Sequence, residues 1–595
     1  CMDDGFELND PPPPQTYLDK KQNSELICIG EAAHTECDCV NFSMLGVPML
    51  FYNKILPESS TFTKRIKLWL KPSPSTLHNL LIGNKWFWDI VNSIPFIRKF
   101  IMKRVYTIRS DIIDSPPTYD NEHSYITVDA NYNLSFFTRT LPPVPIDCPT
   151  PMGVAGQTNL PDIDELVQKL FVREKFKPEP RGTSALFSFY AQHFTHQFFK
   201  TDIKRGPQYQ WGGHGVDMTH VYGKDKHDEH LLRSHADGKL KFQTINDEDW
   251  PPFNKDVGVE MKYILPVQKD NDFALGHSFF GNLPGLFMYA TIWMREHNRV
   301  CDVMRKAHPD WDDERLFQTG KLILLGSTIR ITVEEYIQQL SNYNFKLLFD
   351  PTLLFGEPFQ YQNRVALEFN HLYHWHPLMP DDFNIGGTNY TVKDFLVNPK
   401  LVIKHGMANF VDSLSKQNAG SITVKNHGKY TLAVVKELMK HGRTLRLQSF
   451  NNYRKRFNLP AHKSFQELTG NKKLAKVLEN FYGDIDAVEF YVGLITEKRR
   501  PKAVFGETIV EMGAPYSVKG IMANPICSPK YWKPSTFGGD VGWEIVNTAT
   551  LKKLFCQNLK ENCPEVSFKV PNFVEEQDKP LDYCDGDCQQ HGGEL

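Results

Sequence analysis

From about residue 112 to 575 the apolar positions fall mostly at three- and four-residue spacing, between stretches punctuated by proline and glycine. Ser327 to Phe345, Tyr430 to Lys440 and Lys472 to Phe481 read as helices on this pattern, and the apolar run Leu283 to Met294 reads as a buried one. Stretches of strict alternation are few, so the pattern predicts a mainly α domain over 112–575, with no internal repeat. Before it, residues 61–111 break into short amphipathic pieces at Pro72, Pro74 and Pro95. In the last piece Ile94, Ile97, Ile101, Val105 and Ile108 keep helical spacing. Residues 1–60 contain the run Pro11 to Pro14, which excludes helix there, and 576–595 read as a flexible polar tail.

Composition changes this picture in one place. Apolar residues make up 41% of the 595 and charged ones 23%, values of an ordinary globular protein. A net charge of -2 gives no reason to expect nucleic acid. No run of 18 apolar residues occurs, so no helix is expected to span a bilayer. Between Lys64 and Arg109, however, ten Lys and Arg face one acid, Asp89, and Trp69, Trp86, Phe87, Trp88, Phe96 and Phe100 are interleaved among them. Such pieces suit one leaflet of a membrane, with rings among acyl chains and cations at phosphates. They also suit a cap on the protein's own core or a partner-binding face.

Eleven cysteines are present. Cys28, Cys37 and Cys39 cluster early, and Cys556 and Cys563 stand seven apart. With glycosylation sequons at Asn41, Asn133 and Asn389, close cysteine pairs favour an oxidising compartment. The pairing of Cys1, Cys28, Cys37, Cys39, Cys148, Cys584 and Cys588 is left open.

Three fragments carry chemistry. Phe369-Asn370-His371-Leu372-Tyr373-His374-Trp375-His376 places an imidazole suited to iron three residues after a phenol, one helical turn if the segment is helical. Phe189 to Phe199 holds Gln192 and His196 four apart, hence on one helix face. A base and an amide so placed suit peroxide cleavage, although a buried aromatic helix would read the same. Arg295-Glu296-His297-Asn298-Arg299, at the end of the predicted buried helix, must be paired or serve a site.

Together these fragments resemble the animal haem peroxidases and, more narrowly, the cyclooxygenases (prostaglandin H synthases). The likeness runs from about Phe62 to Pro571, through Pro142-Pro143-Val144-Pro145-Ile146-Asp147-Cys148-Pro149, Phe317-Gln318-Thr319, Tyr336-Ile337-Gln338-Gln339-Leu340-Ser341, Gly513-Ala514-Pro515-Tyr516-Ser517 and Tyr531-Trp532-Lys533-Pro534-Ser535. It implies a helical haem-peroxidase domain, a monotopic membrane segment at 61–111, and a degenerate epidermal-growth-factor-like remnant within 1–60. Haem b is the implied cofactor, with His376 its proximal ligand and His196 and Gln192 the distal pair. Tyr373 is implied as the radical that takes hydrogen from a polyunsaturated fatty acid such as arachidonate. Two O2 then add to give a hydroperoxy endoperoxide, prostaglandin G2, which the peroxide-reducing site converts to prostaglandin H2.

The same resemblance assigns Arg109 and Tyr343 to the substrate carboxylate, with Glu511 pairing Arg109 in its absence. Ser517 matches the hydroxyl acetylated by aspirin, Tyr336 a partner of Tyr373, and Leu372, Trp375, Ile337 and Val510 the channel wall. It further implies a Cys556–Cys563 disulfide, a homodimer, and the lumenal face of the endoplasmic reticulum or nuclear envelope. Ile337 stands where the family usually has valine, Tyr516 where it has phenylalanine, and Arg500 and Val510 follow the family's inducible isoform. A fatty-acid α-dioxygenase or a halide-oxidising peroxidase are competing readings, against which the Arg109 mouth, Ser517 and the membrane segment argue; a membrane-surface scaffold is a third, against which His376, His196, Gln192 and Tyr373 together argue.

Overall fold

A computed structural model describes residues 73–113, 135–145, 159–560 and 563–575, and residue 583. Cys1, Cys28, Cys37, Cys39, Cys148, Cys584, Cys588, Asn41 and Asn133 lie outside the described residues, as do the 1–60 region and all but one residue of the 576–595 tail. Three short helices open the described chain: α1 (Pro74–Ile82), α2 (Lys85–Ser93) and α3 (Pro95–Ser110). Pro74 and Pro95 start helices here, in the first turn where no backbone donor is lost. The inward faces of these helices bury Leu81, Trp88, Val91, Met102 and Tyr106 against the domain.

The core is built on α4 (Ala185–Thr195), α5 (Pro284–Ala307) and α6 (Asp313–Ile331). Helix α4 is capped by Ser184 and buries ten of its eleven residues. At Gly285 any Cβ would stand 2.2 Å from the Phe189 ring, so a glycine sets how closely α4 meets α5. Helix α5 is longer than its apolar run, and Arg295 to Arg299 therefore sit within it rather than at its end. Arg295 pairs with Glu248 at 2.8 Å, Arg299 with Glu296 at 2.7 Å, and His297 bonds the Tyr222 hydroxyl at 2.8 Å. These charges are paired with one another and with neighbours, which accounts for them structurally.

The predicted 327–345 helix is interrupted. Helix α6 passes into a π-turn at Thr332–Tyr336 and then α7 (Ile337–Ser341), which Asn342 ends in the left-handed region at φ 49°. Helix α8 (Leu367–Leu372) carries the first part of the segment that leads to the iron-suited histidine. Helices α9 (Leu432–Thr444) and α10 (Lys472–Tyr482) match two predicted helices, and α11 (Glu507–Met522) contains Pro515. Among the described residues, strand is confined to two antiparallel hairpins, β1 (Gln243–Ile245) with β2 (Glu248–Trp250) and β3 (Asp382–Ile385) with β4 (Thr388–Thr391). The fold is mainly helical, as the spacing predicted.

Candidate active site

Helices α1 and α3 on one side and α8 and α11 on the other enclose a cavity of about 430 Å³, walled almost entirely by hydrocarbon and aromatic side chains. Ile101, Val105 and Ile108, the apolar stripe of α3, face this cavity; Phe100, 61% exposed, stands at its rim, and Phe96, 79% exposed, faces outward. Arg109 and Tyr343 line its α3 end, and Leu372, Tyr373, Trp375 and Ser517 line it at α8 and α11. Ile337 and Val510 are wall residues, as expected. A smaller space of about 30 Å³ continues past Tyr373 and Ser517 between Phe194, Phe198 and Gly520, and Ile337 borders both.

Glu511 does not line the cavity; it is buried behind Arg109 and forms an ion pair with it. Arg500 meets the same carboxylate at 2.7 Å, so one acid holds two guanidinium groups. Burial would raise the Glu511 carboxyl, but the charges of Arg109 and Arg500 outweigh it and hold the pKa below the usual range. Burial likewise opposes the Arg109 charge, and Glu511, with a smaller contribution from Tyr343, restores it. The role of Arg500 in this cluster is absent from the sequence reading, because its register with Glu511 is set by a turn at 499–506 and not by helix spacing.

Tyr373 ends α8. Its ring stacks on Trp375 at 4.1 Å and meets the edge of Phe369 at 5.0 Å. Burial pushes the phenol up to about 12, against the opposing influence of the nearby Ser517 and Tyr336 hydroxyls. The group is therefore protonated at neutral pH. Tyr336 lies beside it, stacked on Phe187 at 4.8 Å, and its buried hydroxyl interacts with the Tyr373 hydroxyl without full hydrogen-bond geometry. Tyr516, in the preceding position to Ser517, bonds the Thr140 hydroxyl, which gives its extra oxygen a partner.

Tyr373 and His376 do not share a helix. Helix α8 stops at Leu372, His374 and Trp375 are irregular, and a single 3₁₀ turn runs over His376–Leu378. Proline at 377 disfavours the α conformation in the residue before it, which ends the helix early. Burial, reinforced by the charges of His374 and His196, pushes the His376 pKa down to about 3, so its imidazole is neutral. Its Nδ1 is buried without a partner. From α4, His196 Nδ1 donates to the Gln192 carbonyl at 2.7 Å, which leaves Nε2 as the basic nitrogen. The Gln192 amide oxygen is buried and unpartnered. His196 and His376 are near enough for their charges to interact, and both are only half-buried although neighbouring His193 and His371 are closed off.

These residues fit an iron porphyrin. A neutral imidazole at His376 suits one axial position, and the orphaned polar atoms of His376 and Gln192 await a partner. Among the described residues no group of three metal-chelating side chains occurs, and one imidazole suffices where a macrocycle supplies the other ligands. Elsewhere Cys556 and Cys563 are joined by a disulfide, and Asn389 is exposed on β4.

The comparisons agree with this arrangement. The animal haem peroxidase family profile matches residues 207–564. Prostaglandin G/H synthase 2 of Oryctolagus cuniculus is 54% identical over 539 residues, 90% of this chain and 88% of that protein. Prostaglandin G/H synthase 1 of Rattus norvegicus is 52% identical over 542 residues, 91% of this chain and 88% of that one. Among solved structures, the fatty acid alpha-dioxygenase of Oryza sativa superposes with TM-score 0.62 at 16% identity, covering 85% of this chain and 98% of that chain. Peroxidase A from Dictyostelium discoideum gives 0.59 at 18% identity, covering 73% and 95%. The last two are likenesses of fold alone.

Proposed function

The chain belongs to the animal haem peroxidases and, within them, to the prostaglandin G/H synthases, and from that premise we propose that it is a bifunctional haem enzyme. It adds two O2 to a polyunsaturated fatty acid such as arachidonate and reduces the hydroperoxide so formed to prostaglandin H2. The observation that carries this reading is one apolar cavity with a cation at one end and a buried neutral phenol at the other, beside two neighbouring imidazoles.

The acyl chain lies along the cavity with its carboxylate on Arg109 and Tyr343, a charge-assisted bond in a dry setting. Its far end passes Tyr373 into the space between Phe194, Phe198 and Gly520. Haem, held by His376, supplies oxidising power drawn from peroxide. His196 Nε2 accepts a proton from the first peroxide oxygen and returns it to the leaving one, while the Gln192 amide orients the peroxide. Tyr373, once it has lost an electron and its proton, takes a hydrogen atom from the carbon between two double bonds. Trp375 and Phe369 hold its ring still for that transfer.

Helices α1 to α3 rest on one membrane leaflet. Leu80, Trp86, Phe87, Ile90, Ile94, Phe96 and Phe100 are all exposed there, while no described helix is long and apolar enough to cross. The cations are shared: Lys99 and Lys103 pair with Asp350 and Glu357, so fewer reach phosphates than the sequence suggested. A homodimer on the lumenal face of the endoplasmic reticulum follows from family resemblance, and the disulfide favours an oxidising compartment. An oxygen electrode tests the central reading. Haem-reconstituted protein given arachidonate takes up about two O2 per product; no uptake, in protein that still reduces peroxide, would defeat the fatty-acid assignment.

A further inference from the structure

Reduction of a peroxide consumes two electrons and two protons, and none of the residues described above supplies them in net. A row of rings on the far side of His196 leads to the protein surface. The His196 ring meets His277 edge-on at 5.2 Å and 77°, and His277 meets Trp211 edge-on at 5.6 Å and 60°. His277 is 5% exposed, whereas Trp211 is 39% exposed. His277 Nδ1 accepts the Phe279 backbone N–H at 3.2 Å, so its proton sits on Nε2, which is buried with no partner. The loop that carries it is pinned at Gly276, where a Cβ would stand 2.5 Å from the Thr219 carbonyl. Trp211 is held by its own backbone N–H on the Lys200 carbonyl at 2.9 Å. The Lys200 ammonium stands 5.3 Å from the indole centroid, and Asp217 neutralises it at 2.5 Å.

We propose that Trp211 is the point of electron uptake from an electron-rich aromatic reductant, an arylamine or a phenol, and that His277 connects it to the His196 side of the active site. This rests on the peroxide-reducing half of the function above. An exposed indole offers a flat π-face for a second ring to stack on. Indole is also among the side chains that most readily give up one electron. The Asp217 carboxylate is held by Lys200 and Thr219, so recognition of the donor rests on the indole face. In each reducing step one donor is oxidised by one electron, which passes through Trp211, while one proton enters the site from solvent; a donor with an acidic N–H or O–H returns a proton to solvent on oxidation. Two donors thus convert one hydroperoxide to one alcohol and one water, the O–O bond being the bond that breaks.

The test compares haem-reconstituted wild type, Trp211→Phe and Trp211→Tyr in the full chain. Each reduces a lipid hydroperoxide with either tetramethyl-p-phenylenediamine or iodide, a small anion that needs no ring to stack on. The ratio of arylamine to iodide kcat/KM is expected to fall at least tenfold in Trp211→Phe and to recover largely in Trp211→Tyr. In haem-free protein the arylamine is expected to quench tryptophan emission saturably in wild type, with that component gone in Trp211→Phe. A ratio in Trp211→Phe equal to that of wild type overturns the proposal, as does identical quenching in the two proteins. Wild type that reduces peroxide with neither reductant overturns the peroxide-reducing function itself, and the uptake site with it.

Discussion

Arg109 and Glu511 meet as an ion pair inside the protein, with 9% and 2% of their side chains exposed. A substrate carboxylate must take Arg109 from that pair. Because Arg500 also holds Glu511 at 2.7 Å, the acid keeps a partner when Arg109 turns to the substrate. Exchange therefore avoids an unpaired buried charge.

Arg109→Gln should raise KM for arachidonate about 10- to 100-fold, the loss of a hydrogen bond to a charged group worth about 1.5–3 kcal/mol. Its effect on kcat should be smaller, since the cation lies at the opposite end of the cavity from Tyr373. Initial rates of oxygen uptake against substrate concentration check this, and an unchanged KM would remove Arg109 from the binding site.

Tyr373→Phe keeps the ring that stacks on Trp375 and removes only the hydroxyl. Oxygenation of the fatty acid should be abolished, while peroxide reduction, assigned in our proposal to Gln192 on α4 and His196 at its C-cap, should keep most of its rate. If oxygen uptake persisted, the phenol would not be the hydrogen acceptor.

Much of this was legible from residue types alone. Gln192 on α4 and His196 at its C-cap come together as four-residue spacing predicts, the His196 backbone N–H bonding the Gln192 carbonyl. Arg109, Tyr343, Ser517 and Ile337 line one cavity. Four features were not legible. Pro377 stops α8 before His376, so the phenol and the imidazole are joined by a bend that periodicity does not encode. The π-turn at Thr332–Tyr336 shifts the register by which Tyr336 and Ile337 face inward. The Arg500–Glu511 contact and the Trp211–His277–His196 row come from tertiary packing between distant segments.

Glu335, on the π-turn, has its carboxyl pushed up to about 7 by burial and by the charge of Glu334, against a bond from the Leu551 backbone N–H. A carboxyl with a raised folded pKa binds protons more tightly in the folded state. Its contribution is therefore fully present below about pH 4.5 and is lost as pH rises to about 7. The difference of some 2.5 units gives an upper bound of about 3 kcal/mol, reduced by the partial exposure of the side chain. Thermal denaturation should show Glu335→Gln matching wild type near pH 4.5 and exceeding it at pH 7.5. Parallel Tm profiles across that range would show that the carboxyl is not strained.

The outward face of α2 and α3 predicts membrane binding that is apolar in origin. Trp86, Phe96 and Phe100 are each more than 60% exposed. Replacing all three by serine should weaken binding to lipid vesicles about 100-fold, taking roughly 1 kcal/mol for each ring only partly inserted. Raised salt should weaken it much less, because Lys99 and Lys103 are engaged with Asp350 and Glu357. Sedimentation with vesicles of neutral and anionic composition separates the two contributions. Binding that vanished at high salt with the rings intact would reassign this face to electrostatic attraction.

Ile337 borders both the main cavity and the smaller space past Tyr373, so its side chain stands where the two meet. It follows the π-turn, and its position is fixed by the backbone, with little freedom for a β-branched side chain to move aside. An acyl chain passing Tyr373 must bend around it, and the carbon that receives the second O2 lies beyond the one that loses hydrogen. One methylene more or less at this junction turns that carbon relative to the incoming O2 and selects one of its two faces. Ile337→Val should therefore cost only about 0.5–1.5 kcal/mol of stability and leave the rate of oxygen uptake within a few-fold. The enantiomer ratio at the second oxygenated carbon should move substantially, by an amount that chiral chromatography of the reduced product reads directly. Identical ratios in the two proteins would show that the wall at this point does not steer the second oxygen.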